Sequence, residues 1–232
     1  MQRSSWTAVA ALCGVMGAGM CGEAWGDVRL PRVLSDGCVL QQGTEAAIFG
    51  FASAGEAVRV TSSWGAKAEG KAASDGRFVV KLKTPTAAEA KGPQWFSVAW
   101  DGGETRVSDV LIGEVWVCGG QSNMEWPVSA SDGAKETIAG ANDGQIRLFT
   151  VENVMSLTPR ADNTGSWSAA HPQSVAGFSA VGYAFAREIR REVGVPVGLI
   201  SCDWGGTRAE AWMSAGALSA FPEMKERLEL VR

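Results

Sequence analysis

The sequence predicts an α/β protein that begins with a small β-sandwich, and this prediction depends on two regions with different patterns. Residues 27–107 contain short runs that alternate polar and apolar residues, such as 57–61, 77–82 and 94–100, separated by turns rich in Asp and Gly. Several short strands at this spacing are typical of a sandwich. Residues 108–232 contain continuous apolar runs instead, which are expected for strands buried on both faces of a sheet.

The second region is predicted to contain three strands and a helix. Continuous apolar runs predict strands at 115–118 and 196–202. A third strand is predicted at 146–151, which alternates polar and apolar residues at its start and follows a turn at 142–144. Residues 179–193 predict an amphipathic helix with Ser179 as N-cap and Gly194 as its C-terminal stop. Its apolar side chains recur every four residues, at Val181, Phe185, Ile189 and Val193. A helix followed by a buried strand is typical of α/β proteins.

A last amphipathic helix is predicted to begin at Pro222 and to continue to Arg232. Three good strands are fewer than the ~4–6 of a usual sheet. We therefore expect residues 108–232 to be the first part of a longer domain.

Composition excludes several classes of protein. With 21 Lys and Arg against 25 Asp and Glu, the net charge is −4, which argues against nucleic acid as a partner. The single histidine, His171, excludes multi-histidine metal sites, and no phosphate loop or dinucleotide fingerprint occurs. We predict neither a metal nor a cofactor. Cys38, Cys118 and Cys202 are predicted to be free thiols.

Residues 1–26 have the pattern of a secretory signal peptide. Arg3 gives a positive start, an apolar stretch follows at 8–20, and Ala24 and Gly26 supply the small residues of a cleavage site. The apolar stretch is shorter than the ~20 residues of a membrane span, and no later stretch has that length. The sequence therefore predicts a secreted or periplasmic protein.

The chemistry is predicted to lie where two strands end. Residues 119–127 read Gly-Gly-Gln-Ser-Asn-Met-Glu-Trp-Pro and follow the strand at 115–118, so that Ser122 lies just past a strand's carboxyl end. A second glycine turn, 203–207, follows the strand at 196–202, and in one sheet the two turns would converge at the same carboxyl edge. The glycines permit close approach of substrate and leave backbone N–H groups free to bind an oxyanion. Taken alone, such a serine could equally be structural, since the Gly-x-Ser-x-Gly spacing of a nucleophile elbow is absent.

Four ordered motifs resemble the sialate O-acetylesterase family, a branch of the SGNH hydrolases. They are residues 34–43, 114–127, 177–183 and 195–212. The resemblance implies a β-rich N-terminal domain followed by a three-layer α/β/α SGNH hydrolase domain. The predicted organisation is a signal peptide at 1–26, a β-sandwich domain at 27–107 and the N-terminal part of a truncated SGNH hydrolase domain at 108–232.

The resemblance also implies roles for residues of both turns. Ser122 would be the nucleophile, and its N–H would bind the oxyanion together with that of Gly205 or Gly206, of which we favour Gly206. Each such donor is typically worth ~3 kcal/mol of transition-state stabilisation. The neighbouring residues that we predict to bind substrate are Gln121, Asn123, Trp204 and Thr207.

The sequence departs from the family at the general base. Members carry a downstream Gln-Gly-Glu block and an Asp-x-x-His pair, and neither occurs here. His171 has Ser168 three residues before it instead of Asp, and it follows a predicted loop at 167–170, so we predict a surface or structural histidine. Glu114 and Glu125 flank the serine turn and are predicted to have solvated or capping roles.

The leading hypothesis is an exported esterase that removes O-acetyl groups from sialic acid or related sugars through a serine acyl-enzyme, inactive as this fragment. An acetylated sugar is the predicted partner, and the oligomeric state stays open. Two alternatives remain: a deacetylase for a polysaccharide such as xylan, and a non-catalytic carbohydrate-binding remnant.

Overall fold

The computed structural model describes residues 27–156 and 160–230, so the predicted signal peptide, residues 1–26, lies outside the described residues. Within these ranges the strands are β1 Val39–Gln41, β2 Glu45–Phe51, β3 Ala57–Ser62, β4 Lys67–Lys71, β5 Arg77–Lys83, β6 Gln94–Trp100, β7 Gly103–Gly120, β8 Asp143–Thr150, β9 Trp167–Ala170 and β10 Val197–Asp203. The α-helices are α1 Ser122–Glu125, α2 Ala134–Ala139, α3 Pro172–Ala176, α4 Ala180–Val193, α5 Ala215–Leu218 and α6 Lys225–Glu229.

Eight strands form one large mixed sheet in the order β4-β3-β6-β7-β10-β8-β9, with β1 paired to β7 as a branch. β2 and β5 form a separate antiparallel pair. The strands predicted at 57–61, 77–82 and 94–100 are confirmed as β3, β5 and β6. Their alternation decides which side chains are buried: Phe78 and Val80 of β5 join the same apolar cluster as Val60 and Phe96 of the large sheet.

β7 connects the β-rich first region to the second. Its first part, Gly103–Val110, pairs with β6, and Leu111–Gly113 pair in parallel with β1. Glu114–Gly120 then pair in parallel with β10. The predicted domain boundary at 107/108 falls inside this continuous strand, and it stays a prediction.

α4 covers one face of the second region, and its predicted caps are confirmed. The Ser179 Oγ accepts the Gly182 N–H at 3.1 Å, and Gly194 ends the helix with φ 72°. The buried face, however, is formed by Gly182, Tyr183 and Ala186. The small residues let the helix approach the sheet closely, since a Cβ at 182 would lie 3.0 Å from the Cys118 Sγ.

The apolar stripe of the predicted helix is therefore not the buried face of α4. Val181 and Val193 are each 53% exposed and Phe185 is 38% exposed. The predicted burial of the run 115–118 on both faces is also wrong, because Val117 is 67% exposed and Trp116, which contacts Phe185 edge-on at 5.0 Å, is 43% exposed. Among the described residues, 114–120 pair with β10 alone, which leaves one edge of β7 open.

Three further expectations need correction. β9, Trp167–Ala170, is a strand where a loop is predicted. β8 begins at Asp143, inside the turn predicted to precede it. The last helix is split into a 3-10 turn, Pro222–Met224, and α6, which ends at Glu229.

The prediction of free thiols is confirmed for all three cysteines, of which Cys38 and Cys118 are buried. Burial raises the pKa of the Cys38 thiol to about 12. None of the helices within 27–156 and 160–230 combines the length and the apolar character that a membrane span requires.

An ion pair ties β7 to β8. Asp109 adopts φ 54°, which is unusual for a residue other than glycine. Its carboxylate accepts two hydrogen bonds from Arg147, at 2.6 and 3.0 Å. The Arg147 side chain is only 10% exposed, and its guanidinium also donates to the Gly144 and Gly37 carbonyls. This cluster holds the middle of β7 in its unusual conformation.

We expect Asp109→Asn to lower the free energy of unfolding by about 2 kcal/mol, because Asn tolerates the left-handed backbone but leaves a buried guanidinium without its carboxylate. Denaturant titration measures the loss. The matched control is Glu69→Gln, which breaks the solvent-exposed ion pair with Arg59 and should change the midpoint far less. Equal midpoints for Asp109→Asn and the unmodified chain would contradict this account.

Candidate functional site

The two glycine turns meet at one edge of the sheet. Because β7 and β10 are parallel and in register, Cys202 lies opposite Gly119 and Asp203 opposite Gly120. The Trp204 N–H donates to the Gly120 carbonyl at 3.1 Å and joins the turns directly. The expected convergence of these turns is confirmed, at the edge where open α/β sheets place their sites.

Ser122 is the first residue of the short helix α1, immediately after β7. Ser122 is exposed, as are Gln121 and Asn123, and the Ser122 Oγ donates to the Gln121 Oε1 at 2.8 Å. Glycine at 120 permits this tight reversal, since a Cβ there would lie 3.1 Å from the Met124 Cβ. The hydroxyl is thus presented at the surface.

Gly205 packs against the serine turn. A Cβ at 205 would lie 3.6 Å from the Ser122 Cα and would displace the Glu125 Oε2 from its present position. The Gly205 N–H donates to the Glu125 Oε2 at 2.7 Å. Gly206 is exposed with φ 78°, and among the described residues its N–H has no hydrogen-bond acceptor.

The residues after the glycines form one wall of a cavity of about 1030 Å³. The Thr207 Oγ1 donates to the Trp204 carbonyl at 2.7 Å and accepts the Trp212 indole N–H at 2.8 Å. Across the cavity lies the segment after β8, including Val151 and Asn153. Ser122, Gln121 and Asn123 are not among the residues that line this cavity. Its two tryptophans and the Thr207 hydroxyl can hold an apolar face and a polar group of a ligand.

Sequence reasoning missed two residues of the site, Asn153 and Asp203. Burial raises the pKa of the Asp203 carboxyl, the Ser201 hydroxyl that donates to it acts in the opposite direction, and the charge of Glu125 raises it further. The position of Asp203 at a strand end was a usable signal, whereas nothing local marks Asn153. Within the described residues, no group of three or more His, Cys, Asp or Glu side chains could hold a metal ion.

The structural interpretation of His171 is confirmed. His171 is the N-cap of α3, where its Nδ1 accepts the Ser174 N–H at 3.2 Å. Glu114 is likewise structural, since its carboxylate accepts hydrogen bonds from the Gln41 and Gln42 amides at 3.0 and 2.8 Å. Neither side chain has a described contact with Ser122.

The family model described as "Carbohydrate esterase, sialic acid-specific acetylesterase" matches residues 112–231, just over half of the chain. Among individual proteins, the chain is 37% identical over 124 residues to the sialate O-acetylesterase of Rattus norvegicus and 34% identical over 124 residues to that of Homo sapiens. Each match covers 50% of this chain, and 23% and 24% of those proteins. The chain thus spans about a quarter of the length of the curated relatives that it matches.

A crystal structure of a carbohydrate acetylesterase from Xanthomonas citri is similar to this fold. It matches with a TM-score of 0.78 and 41% identity, over 83% of this chain and 44% of the other. The similarity extends well beyond the 112–231 region and therefore includes part of the β-rich first region.

Proposed function

The chain belongs to the carbohydrate esterase family of sialic acid-specific acetylesterases, and we propose that the protein containing it hydrolyses O-acetyl esters of sugars, with Ser122 as nucleophile. One observation carries the proposal: an exposed Ser122, at the carboxyl end of β7, lies against a glycine turn from the neighbouring parallel strand. A hydroxyl close to a glycine turn supports this role, because acyl transfer uses a nucleophile together with backbone N–H groups that bind the oxyanion.

In the proposed reaction, the Ser122 Oγ attacks the acetyl carbonyl and loses its proton to a base. The tetrahedral oxyanion is bound by the N–H groups of Ser122 and Gly206. The base returns its proton to the sugar oxygen, so that the sugar leaves as an alcohol, and water then hydrolyses the acetyl-serine to give acetate and the free serine hydroxyl. Gly206 is favoured over Gly205 because the Gly205 N–H already donates to Glu125.

The base is proposed to come from outside the described residues. The partner described for the Ser122 Oγ is the Gln121 amide, which cannot act as a base near neutral pH. His171, the one imidazole, is used as a helix cap. We therefore propose that this chain alone is inactive and that the longer protein is the esterase.

Acetylated sialic acid is the preferred substrate, supported by the names of the relatives in rat and human. Gln121, Asn123, Trp204 and Thr207 are proposed to contact the sugar, because Trp204 and Thr207 line the cavity and the other two are exposed beside Ser122. An acetylxylan-type substrate and binding without turnover remain the alternatives.

The architecture is proposed to be a β-sandwich followed by an incomplete α/β/α hydrolase domain. Support for the sandwich is the apolar cluster shared by the β2–β5 pair and the large sheet. Support for incompleteness is the open edge of β7 together with the exposed Trp116 and Val117. A sheet edge of this kind is normally paired or covered.

We expect Ser122→Ala to lower acetate release by the longer protein at least about 10³-fold, because the nucleophile is removed. His171→Ala is the matched control and should retain full turnover. Initial rates on 9-O-acetyl sialic acid and on acetylxylan measure both effects and rank the substrates. Full activity of Ser122→Ala would refute the proposed mechanism, and sugar binding without any turnover would favour the non-catalytic alternative.

Val117→Lys should leave the thermal midpoint of this chain nearly unchanged, since the site is exposed, but should lower the midpoint of the longer protein by several degrees. There, the proposed missing part of the domain would bury the new charge. Val79, which is 64% exposed on β5, gives the control Val79→Lys, with little change in either protein. Equal midpoints for Val117→Lys and unmodified longer protein would contradict incompleteness.

Residues 1–26 are proposed to direct export, and the mature protein should then begin at Asp27. Expression with the native leader, followed by mass spectrometry of the extracytoplasmic fraction, measures the N-terminus. Protein retained in the cytoplasm with residues 1–26 attached would exclude export.

A further inference from the structure

Glu125 links three separate segments of the site. It is the last residue of α1, one turn after Ser122. Its Oε2 accepts the Gly205 N–H at 2.7 Å, and its Oε1 accepts the Asn153 side-chain amide at 3.3 Å. The carboxylate therefore joins the serine turn, the glycine turn after β10 and the segment after β8.

The peptide group between Trp204 and Gly205 is held by hydrogen bonds at its N–H and at its carbonyl. The peptide between Trp204 and Gly205 donates through its N–H to Glu125, and its carbonyl accepts the Thr207 Oγ1 at 2.7 Å and the Thr207 N–H at 3.4 Å. Hydrogen bonds at the two ends of one peptide polarise each other and hold its plane. The next N–H along the chain belongs to Gly206. Unlike the N–H groups of Trp204, Gly205 and Thr207, it has no hydrogen-bond acceptor among the described residues.

We propose that Glu125 is a positioning residue that orients the Gly205–Gly206 turn, so that the Gly206 N–H is presented to the oxyanion while the Gly205 N–H is withheld from it. This proposal rests on the proposed esterase function of Ser122. Glu125 itself touches neither the Ser122 Oγ nor, in this scheme, the reacting carbonyl. Its charge makes the hydrogen bond to Gly205 stronger than a neutral acceptor would.

Removing the carboxylate should therefore impair the chemical step more than substrate binding. In the longer protein, Glu125→Ala should lower kcat for acetate release about 10–100-fold, the loss expected for a displaced oxyanion donor, with KM within about threefold of the unmodified value. Glu125→Gln should recover most of kcat, because its amide oxygen can still accept the Gly205 N–H. Glu136→Ala, in the exposed first turn of α2, is the matched control and should change neither constant.

Unchanged kcat in Glu125→Ala, alongside an inactive Ser122→Ala, would overturn the positioning role and leave the esterase function standing. A loss of kcat in Glu125→Ala that Glu125→Gln does not restore would also overturn the positioning role. Catalysis would then depend on the negative charge of Glu125 or on another function of this residue. If the unmodified longer protein shows no Ser122-dependent turnover, the proposed function itself fails.

A second measurement tests the contact without catalysis. With ¹⁵N-labelled glycine, the Gly205 amide proton should resonate downfield in the unmodified protein, shift upfield in Glu125→Gln, where the acceptor is neutral, and exchange faster with solvent in Glu125→Ala. A Gly205 amide resonance that is unchanged in both variants would refute the contact. Glu125→Gln keeps this test valid even if Glu125→Ala is poorly folded.

Discussion

The candidate site depends on the parallel pairing of β7 with β10. Seven consecutive residue pairs, from Glu114 with Val197 to Gly120 with Asp203, bring both strands to the same level at their carboxyl ends. A shift of one residue would turn every side chain of β7 to the opposite face and move Ser122 away from Gly205. The pairings of β7 with β6 and β1 anchor the strand upstream, so the β-rich region contributes to the site by holding this register.

The polar groups of the site fall into two sets. One set forms hydrogen bonds that hold the turns in place, and the other lies at the surface, where a ligand can reach it. The hydrogen bond from the Gly205 N–H to Glu125 joins the two turns. Asp203 accepts from Ser201 within β10, and Thr207 donates to the Trp204 carbonyl within the second turn. The Ser122 hydroxyl and the Gly206 N–H are at the exposed surface. A reacting ester would thus meet groups whose surroundings are already ordered, which reduces the reorganisation needed in the transition state.

Local periodicity in the sequence predicted β3, β5, β6 and the ends of α4, because alternation and capping are properties of neighbouring residues. The buried face of α4 was not predictable in this way, since Gly182 sets how closely the helix approaches the sheet. The two turns could be foreseen, but the hydrogen bond between Glu125 and Gly205 joins residues 80 positions apart, and only the fold reveals it.

Under the proposed function, the open edge of β7 and the lack of a base among the described residues have one physical explanation. A further strand that pairs in parallel with residues 115–120 would cover the edge, and elements following it could pack over the exposed Trp116 and Val117. Because parallel strands end at the same sheet edge, the loop after that strand would lie beside Ser122. Under the proposed function, such a strand would therefore bring new side chains to the side of Ser122 opposite Gly205, and one of them could serve as the base.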